Sequence, residues 1–232
     1  DEPLSNLDAK LRVQLRAEIS RVQKRIGVAT LYVTHDQTEA MTLGHRVAVL
    51  RDGALQQCDT PQVLYDRPAN VFVAGFIGSP SMNLFEASLS IDALTLALGS
   101  QSIPLNTEIL TRHPALKNFA GQKIVVGIRP EDLPAMNEQH AGVEFKGDVE
   151  LVEALGSEIL VHFRTDAQVV IAEGSPEVPE GPDLDTKTQP FDDCVARIQP
   201  RHAVKVCDRF SFTVNPDRLE FFELDSGHAI WE

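Results

Sequence analysis

The sequence predicts two folds in tandem, a mixed α/β segment followed by an all-β barrel. Three observations carry this. Apolar residues recur at helical spacing early in the chain, and helix-start and hairpin signals follow in close order. Gly78-Ser79-Pro80 then breaks the chain. Beyond it come short alternating runs separated by turn residues, the texture of a closed or nearly closed barrel.

The elements follow in order. Asp8 is placed to cap a helix running to about Ile26, where Gly27 stops it. Leu11, Leu15, Ile19, Val22 and Ile26 form its apolar stripe. Arg12, Arg16, Arg21, Lys24 and Arg25 give the remainder a basic face, which reads as solvated. Leu31-Tyr32-Val33 reads as a short strand. Asp36-Gln37-Thr38-Glu39 has the form of a capping box, so a helix starts just after His35. His35 then sits at a strand-to-helix turn, on the edge where open α/β sheets bind ligands. Val47–Leu50 and Ala54–Gln57 flank Asp52-Gly53, a strong hairpin signal. Thr60-Pro61 reads as an N-cap with proline at the first helical position, and Pro68 ends that helix. A further amphipathic helix is expected from Val71 to Ile77.

After the break, strands are expected at Leu94–Leu98, Lys123–Ile128, Val143–Val152, Glu158–Phe163, Val169–Ala172, Cys194–Ile198, Ser211–Val214 and Arg218–Phe222. Glu173–Asp193 is acidic and rich in Pro and Gly, and reads as a mobile loop inserted into the barrel. The expected domains are therefore 1–78 and 79–232.

Composition narrows the function. A net charge of −13 argues against affinity for nucleic acid, whose binders present basic surface. The three cysteines, Cys58, Cys194 and Cys207, are far apart and lack metal-ligand spacing, as suits reduced thiols. No apolar stretch approaches a membrane span and no signal peptide is visible. Work at a membrane would then require docking to an integral partner.

The chemistry concentrates at the start. Asp1 and Glu2 open the run DEPLSNLDAKLR, and Thr34-His35-Asp36 follows. Adjacent acids, a polar loop and a downstream His suit a site that holds a metal, polarises a water and senses a terminal phosphate. A phosphate cradle needs Gly-rich backbone followed by Lys and Ser or Thr. No Gly-Lys pair occurs in the 232 residues.

DEPLSNLDAKLR, with LYVTHDQTEAMTLGHRVAVLRDGALQQCDTPQVLYDRPANVFVAGFIGSPSMN, resembles the ATP-binding subunits of carbohydrate-importing ABC transporters of the maltose and glycerol-3-phosphate uptake type. The likeness is nearly continuous from Asp1 to about Asn83. It resumes at GIRPEDL (Gly127–Leu133), LVEALGSEILVHF (Leu151–Phe163) and FTVNPDRLEFFELDSGHAI (Phe212–Ile230), which are similar to the small barrel appended to that branch. The P-loop and the Leu-Ser-Gly-Gly-Gln signature are absent. The resemblance implies the α/β remnant of a P-loop-type ATPase domain over 1–78, then an OB-like barrel of TOBE/MOP type over 79–232.

It also implies roles. Asp1 matches the magnesium-associated aspartate, and Glu2 the acid that polarises the attacking water. Ser5, Asn6, Leu7 and Asp8 match the D-loop, which crosses between subunits beside the nucleotides; Asp8 has an equal explanation as a helix cap. His35 matches the switch histidine that approaches the terminal phosphate. ATP and Mg2+ are the implied cofactors, both requiring polypeptide that carries the P-loop, so this chain alone is expected to be inactive. The implied partners are membrane-spanning permease subunits, a second ATPase subunit in a homodimer and a regulatory protein on the barrel. The implied location is the cytoplasmic face of the membrane, held peripherally. Arg129 and Glu131 are expected to pair or to position a turn. Cys207 stands where relatives commonly carry Gly, so a positive φ there would strain it. The alternative is a barrel that acts without catalysis, as a dimerisation, regulatory or small-anion-sensing module.

Overall fold

A computed structural model of the chain describes residues 1–4, 7–136, 142–171 and 194–231. The expected acidic loop at Glu173–Asp193 lies outside the described residues. The chain divides into two compact units, Asp1–Ala69 and Asn70–Glu232.

The first unit opens on helix α1, Ala9–Ile26. Asp8 caps it by accepting from the Leu11 amide, and Gly27 closes it in the left-handed region at φ 70°. The apolar stripe is only partly covered: Leu11 is 38% exposed, Val22 50% and Ile26 60%. Helix α2, Gln37–Leu43, starts where the capping box puts it. Strands β1, Val47–Arg51, and β2, Ala54–Asp59, form an antiparallel hairpin. Its turn residues Asp52 and Gly53 both take positive φ, as a two-residue turn that matches strand twist requires. Helix α3, Pro61–Asp66, has Thr60 as its cap and buries Leu64.

The expected strand at Leu31–Val33 does not form. A strand needs a neighbour to satisfy its ladder, and here the Val33 carbonyl accepts from the Glu2 amide at 2.8 Å without a ladder forming among the described residues. Leu31 stays 91% exposed.

The second unit begins with helix α4, Val71–Phe76, capped by Asn70 and buried along Phe72–Gly75. Among the described residues nine strands follow, in two antiparallel sheets. Strands β3 (Asn83–Leu89), β4 (Thr95–Leu98), β5 (Gln101–Pro104), β6 (Lys123–Ile128) and β11 (Glu220–Glu223) form one, ordered β11-β6-β3-β4-β5. Strands β7 (Val143–Ala154), β8 (Ile159–Arg164), β9 (Cys194–Ile198) and β10 (Arg209–Val214) form the other, ordered β10-β7-β8-β9. Inward residues from both sheets make one core. At its centre Phe145 meets Phe85 at 5.8 Å and Phe163 at 6.3 Å, and Phe163 meets Phe212 at 4.5 Å, all within the range of favourable ring pairs. Gly147 leaves room for this: a Cβ there would stand 2.1 Å from the Phe163 ring.

Backbone from each sheet reaches the other. Val169, downstream of β8, bridges Phe85 on β3, while Ala135, downstream of β6, bridges Phe212 on β10. The result is the expected OB-like barrel. Val169–Ala172 is corrected from a strand to that single bridge, with Ala172 outside the described residues. A short helix α5, Thr107–Arg112, capped by Asn106, was not expected and packs Ile109 and Leu110 into the core.

Asn83 closes a sheet edge. Its side chain is 7% exposed. Its amide nitrogen donates to the carbonyls of Val195 on β9 and Ile128 on β6, and its oxygen accepts from the Val195 amide at 2.7 Å. A side-chain amide thus takes the place of a neighbouring strand on β9, whose open edge would otherwise leave these groups without a partner.

Candidate functional site

The expected site residues lie in the first unit. His35 is held by what flanks it. The Asp36 amide donates to Thr34 Oγ1 at 3.0 Å, and Asp36 Oδ1 accepts from the Glu39 amide, starting α2. The box is completed differently from expectation. The Glu39 carboxylate is 2% exposed and turns toward Tyr32 and Thr34, whose hydroxyls donate to Oε2 at 2.9 and 2.8 Å. Burial, and then the bond to Glu39, push the Tyr32 hydroxyl up to about 12. Burial acts to raise the Asp36 carboxyl, but the Glu39 and Thr38 amides and the guanidinium groups of Arg12 and Arg16 hold it below the usual carboxylate range.

Against this turn lies the opening segment. His35 Nδ1 stands 3.1 Å from Glu2 Oε1, both side chains being substantially exposed. The hydrogen bond to Glu2 and its charge raise the His35 imidazole above its ordinary value, helped by Asp36 and Glu39 and opposed by slight desolvation. Glu2 has φ 40°, a region side chains other than glycine seldom take. Strain of this kind, of about 1–3 kcal/mol, persists where surrounding structure enforces it, and functional sites are where it collects. Here the Glu2 amide is tied to Val33, and Leu4, two residues on, is buried.

Asp1 is exposed. Ser5 and Asn6 lie outside the described residues. The Leu7 carbonyl accepts from Arg12 Nη2 at 3.2 Å, and Asp8 caps α1. Among the described residues no group of three or more His, Cys, Asp and Glu could hold a metal ion.

Arg12 lies on the helix face expected to be solvated, yet its Nη1 lies 3.3 Å from Asp36 Oδ2 and its Nε 4.0 Å from Glu39 Oε1. Helical spacing gave its face correctly; the partner, 24 positions along the chain, left no local signal. In the second unit Arg129 is 4% exposed and donates to the Ile77 carbonyl at 2.6 Å, positioning the chain entering the barrel. Cys207 takes φ 70°, the positive value expected from a position where glycine would sit. All three cysteines are free thiols. No helix among the described residues is long and apolar enough to cross a membrane.

The family known as the MalK OB fold domain matches residues 78–133, and the TOBE domain family matches residues 126–204. The trehalose import ATP-binding protein SugC of Mycobacterium tuberculosis is 42% identical over 98% of this chain and 58% of its own length. The osmoprotective compounds uptake ATP-binding protein GgtA of Synechocystis is 38% identical over 100% of this chain and 57% of its own. The trehalose/maltose import ATP-binding protein MalK of Thermococcus litoralis is 45% identical over 80% of this chain and 51% of its own. The chain matches the C-terminal region of carbohydrate-import ABC-transporter ATPases of the MalK, SugC and UgpC type. It spans about half of the length of these curated relatives, 51% to 58%.

Proposed function

We propose that this chain is part of an ATP-hydrolysing subunit that energises uptake of a carbohydrate or related solute through an ABC importer. The observation that carries the reading is the 3.1 Å contact between Glu2 and His35, made within a segment whose relatives are import ATP-binding proteins. Positioning and charge neutralisation dominate phosphoryl transfer, so a fixed carboxylate and a fixed imidazole are the groups such chemistry needs. Glu2 orients the attacking water. His35, with Nδ1 against Glu2, offers its other ring nitrogen to a terminal phosphate oxygen. Asp1 would hold Mg2+, and the ion would supply charge neutralisation of the phosphate oxygens. Ser5, Asn6, Leu7 and Asp8 are the residues assigned to contact with a second ATPase subunit and its nucleotide, on their match to the D-loop.

The ATPase part runs over 1–78 and the barrel over 79–232; the start of the OB match at residue 78 supports this boundary, while the compact units divide earlier, at Ala69 and Asn70. The subunit works as a homodimer docked on permease subunits at the cytoplasmic membrane face, and the barrel receives a regulatory protein. Closure and reopening use the difference in nucleotide affinity between the two states. The test is magnesium-dependent ATP hydrolysis. The full-length protein is expected to hydrolyse ATP, Glu2→Gln to abolish turnover, and the 232-residue chain alone to be inactive. Turnover by this chain, or none by the full-length protein with its permease, would overturn the reading.

A further inference from the structure

We propose that Arg12 is a positioning residue: by tying the loop at Leu7 to the His35 turn, it holds Glu2 against His35. The geometry is a two-way hold with a third approach too long for a hydrogen bond. Nη2 donates to the Leu7 carbonyl at 3.2 Å, Nη1 reaches Asp36 Oδ2 at 3.3 Å, and Nε lies 4.0 Å from Glu39 Oε1. A guanidinium presents its donors in a fixed planar fork, so these ties constrain one another in a way that one ammonium would not.

What they constrain is the distance between two segments. The segment carrying Glu2 is joined to the turn by the bond from its own amide to the Val33 carbonyl and, five residues on, by Arg12 at Leu7. Leu7 in turn is tied back to Leu4 by its amide at 3.3 Å. On the turn side, Asp36 is the residue after His35, and Glu39 fixes Thr34, the residue before it. Arg12 therefore grips the carboxylate next to the imidazole on one side and the acid segment's own loop on the other. Movement of that loop is passed to the His35–Glu2 pair through the guanidinium. The kinetic consequence rests on the proposed ATPase role; the structural one does not.

Two measurements separate these. In the 232-residue chain, the ring nitrogen resonances of His35 are compared at one pH in wild type, Glu2→Gln and Arg12→Gln. Arg12→Gln is expected to move the Nδ1 resonance toward its position in Glu2→Gln, and Arg12→Lys to restore it only in part. An unchanged resonance, even with a lowered melting temperature, would reduce Arg12 to a helix-packing role and overturn the proposal. In the full-length protein, Arg12→Gln is expected to lower kcat about tenfold or more while KM for ATP moves less than about twofold, the mark of misplacement rather than lost binding. Unchanged kcat in an active full-length protein overturns the proposal. A wild-type full-length protein without turnover refutes the ATPase reading instead, and the resonance comparison then decides Arg12 on its own.

Discussion

His35 and Glu2, separated by 32 residues between them in the chain, meet with Nδ1 3.1 Å from Oε1. The contact raises the imidazole above its ordinary value of 6.5, mainly through the hydrogen bond and charge of Glu2. Glu2→Gln keeps the shape of the side chain and removes its charge. It is expected to bring the His35 titration midpoint down toward the ordinary value, read from the ring proton shifts. A raised imidazole contributes stability below the unfolded value and loses it as pH rises through the folded one. The wild-type advantage over Glu2→Gln should therefore fade on going from mildly acidic to alkaline solution.

Asn83 offers a test of how the barrel is closed. Asn83→Ala strips three hydrogen bonds from a buried site and leaves the Val195 amide and the Val195 and Ile128 carbonyls short of partners. Orphaned buried groups of this kind cost about 1–3 kcal/mol each, offset by whatever water enters, so a loss of about 2–3 kcal/mol is expected in urea denaturation. Asn83→Asp would keep one acceptor but lose both donated bonds, and should be no more stable than the alanine variant.

Local signals were legible wherever one residue type had a single local use. Asp8, Asp36 and Thr60 cap the helices they were assigned, and Asp52-Gly53 turns its hairpin. Strands β6 and β9 are found at their expected bounds, and β4 and β8 lie within a residue of theirs. Strand β3 was missed because it is covered on both faces at its start. Phe85 enters the main core, while Leu84 joins a second cluster with Ala74, Met82, Val125 and Phe222. With Asn83 also buried, the period-two alternation that marks a half-exposed strand is lost there. The reverse error at Leu31–Val33 has the same root: an apolar run states that a segment can pair, not that a neighbour is present. For the site, the pairing of Glu2 with His35 could be drawn only from resemblance, and the Arg12 network from no local pattern at all.

Cys207 isolates backbone strain. It is exposed, sits at φ 70° and keeps its amide bonded to the Val149 carbonyl at 2.8 Å. Glycine can hold that conformation without a Cβ penalty of about 1–2 kcal/mol, but it gives back about 0.5–1 kcal/mol in unfolded-chain entropy. Cys207→Gly is therefore expected to stabilise the barrel by about 0.5–1 kcal/mol, and Cys207→Ala to leave it near wild type. Equal stability of all three in urea would mean the turn is not strained.

Asp132 makes the barrel's stability depend on pH in the opposite sense to most carboxylates. Burial, and then the neighbouring Glu131 charge, raise it to about 6, with Arg218 and Arg129 pulling the other way. A carboxyl raised in the folded state binds its proton more tightly there than in the unfolded chain. Folding is thus favoured while the group is protonated, and stability falls as pH rises from the ordinary value near 3.8 to about 6, staying flat above it. Asp132→Asn is neutral throughout and keeps the shape. Because the side chain is only half-buried, solvent screening limits the effect, and the variant should exceed wild type by about 1–2 kcal/mol at pH 7. The gap should close near pH 4, where both carry an uncharged group. Denaturation at the two pH values, compared between the two proteins, reads the effect of this one residue against the titration of all the others. A gap that is the same at both would place the charge in solvent rather than against the barrel.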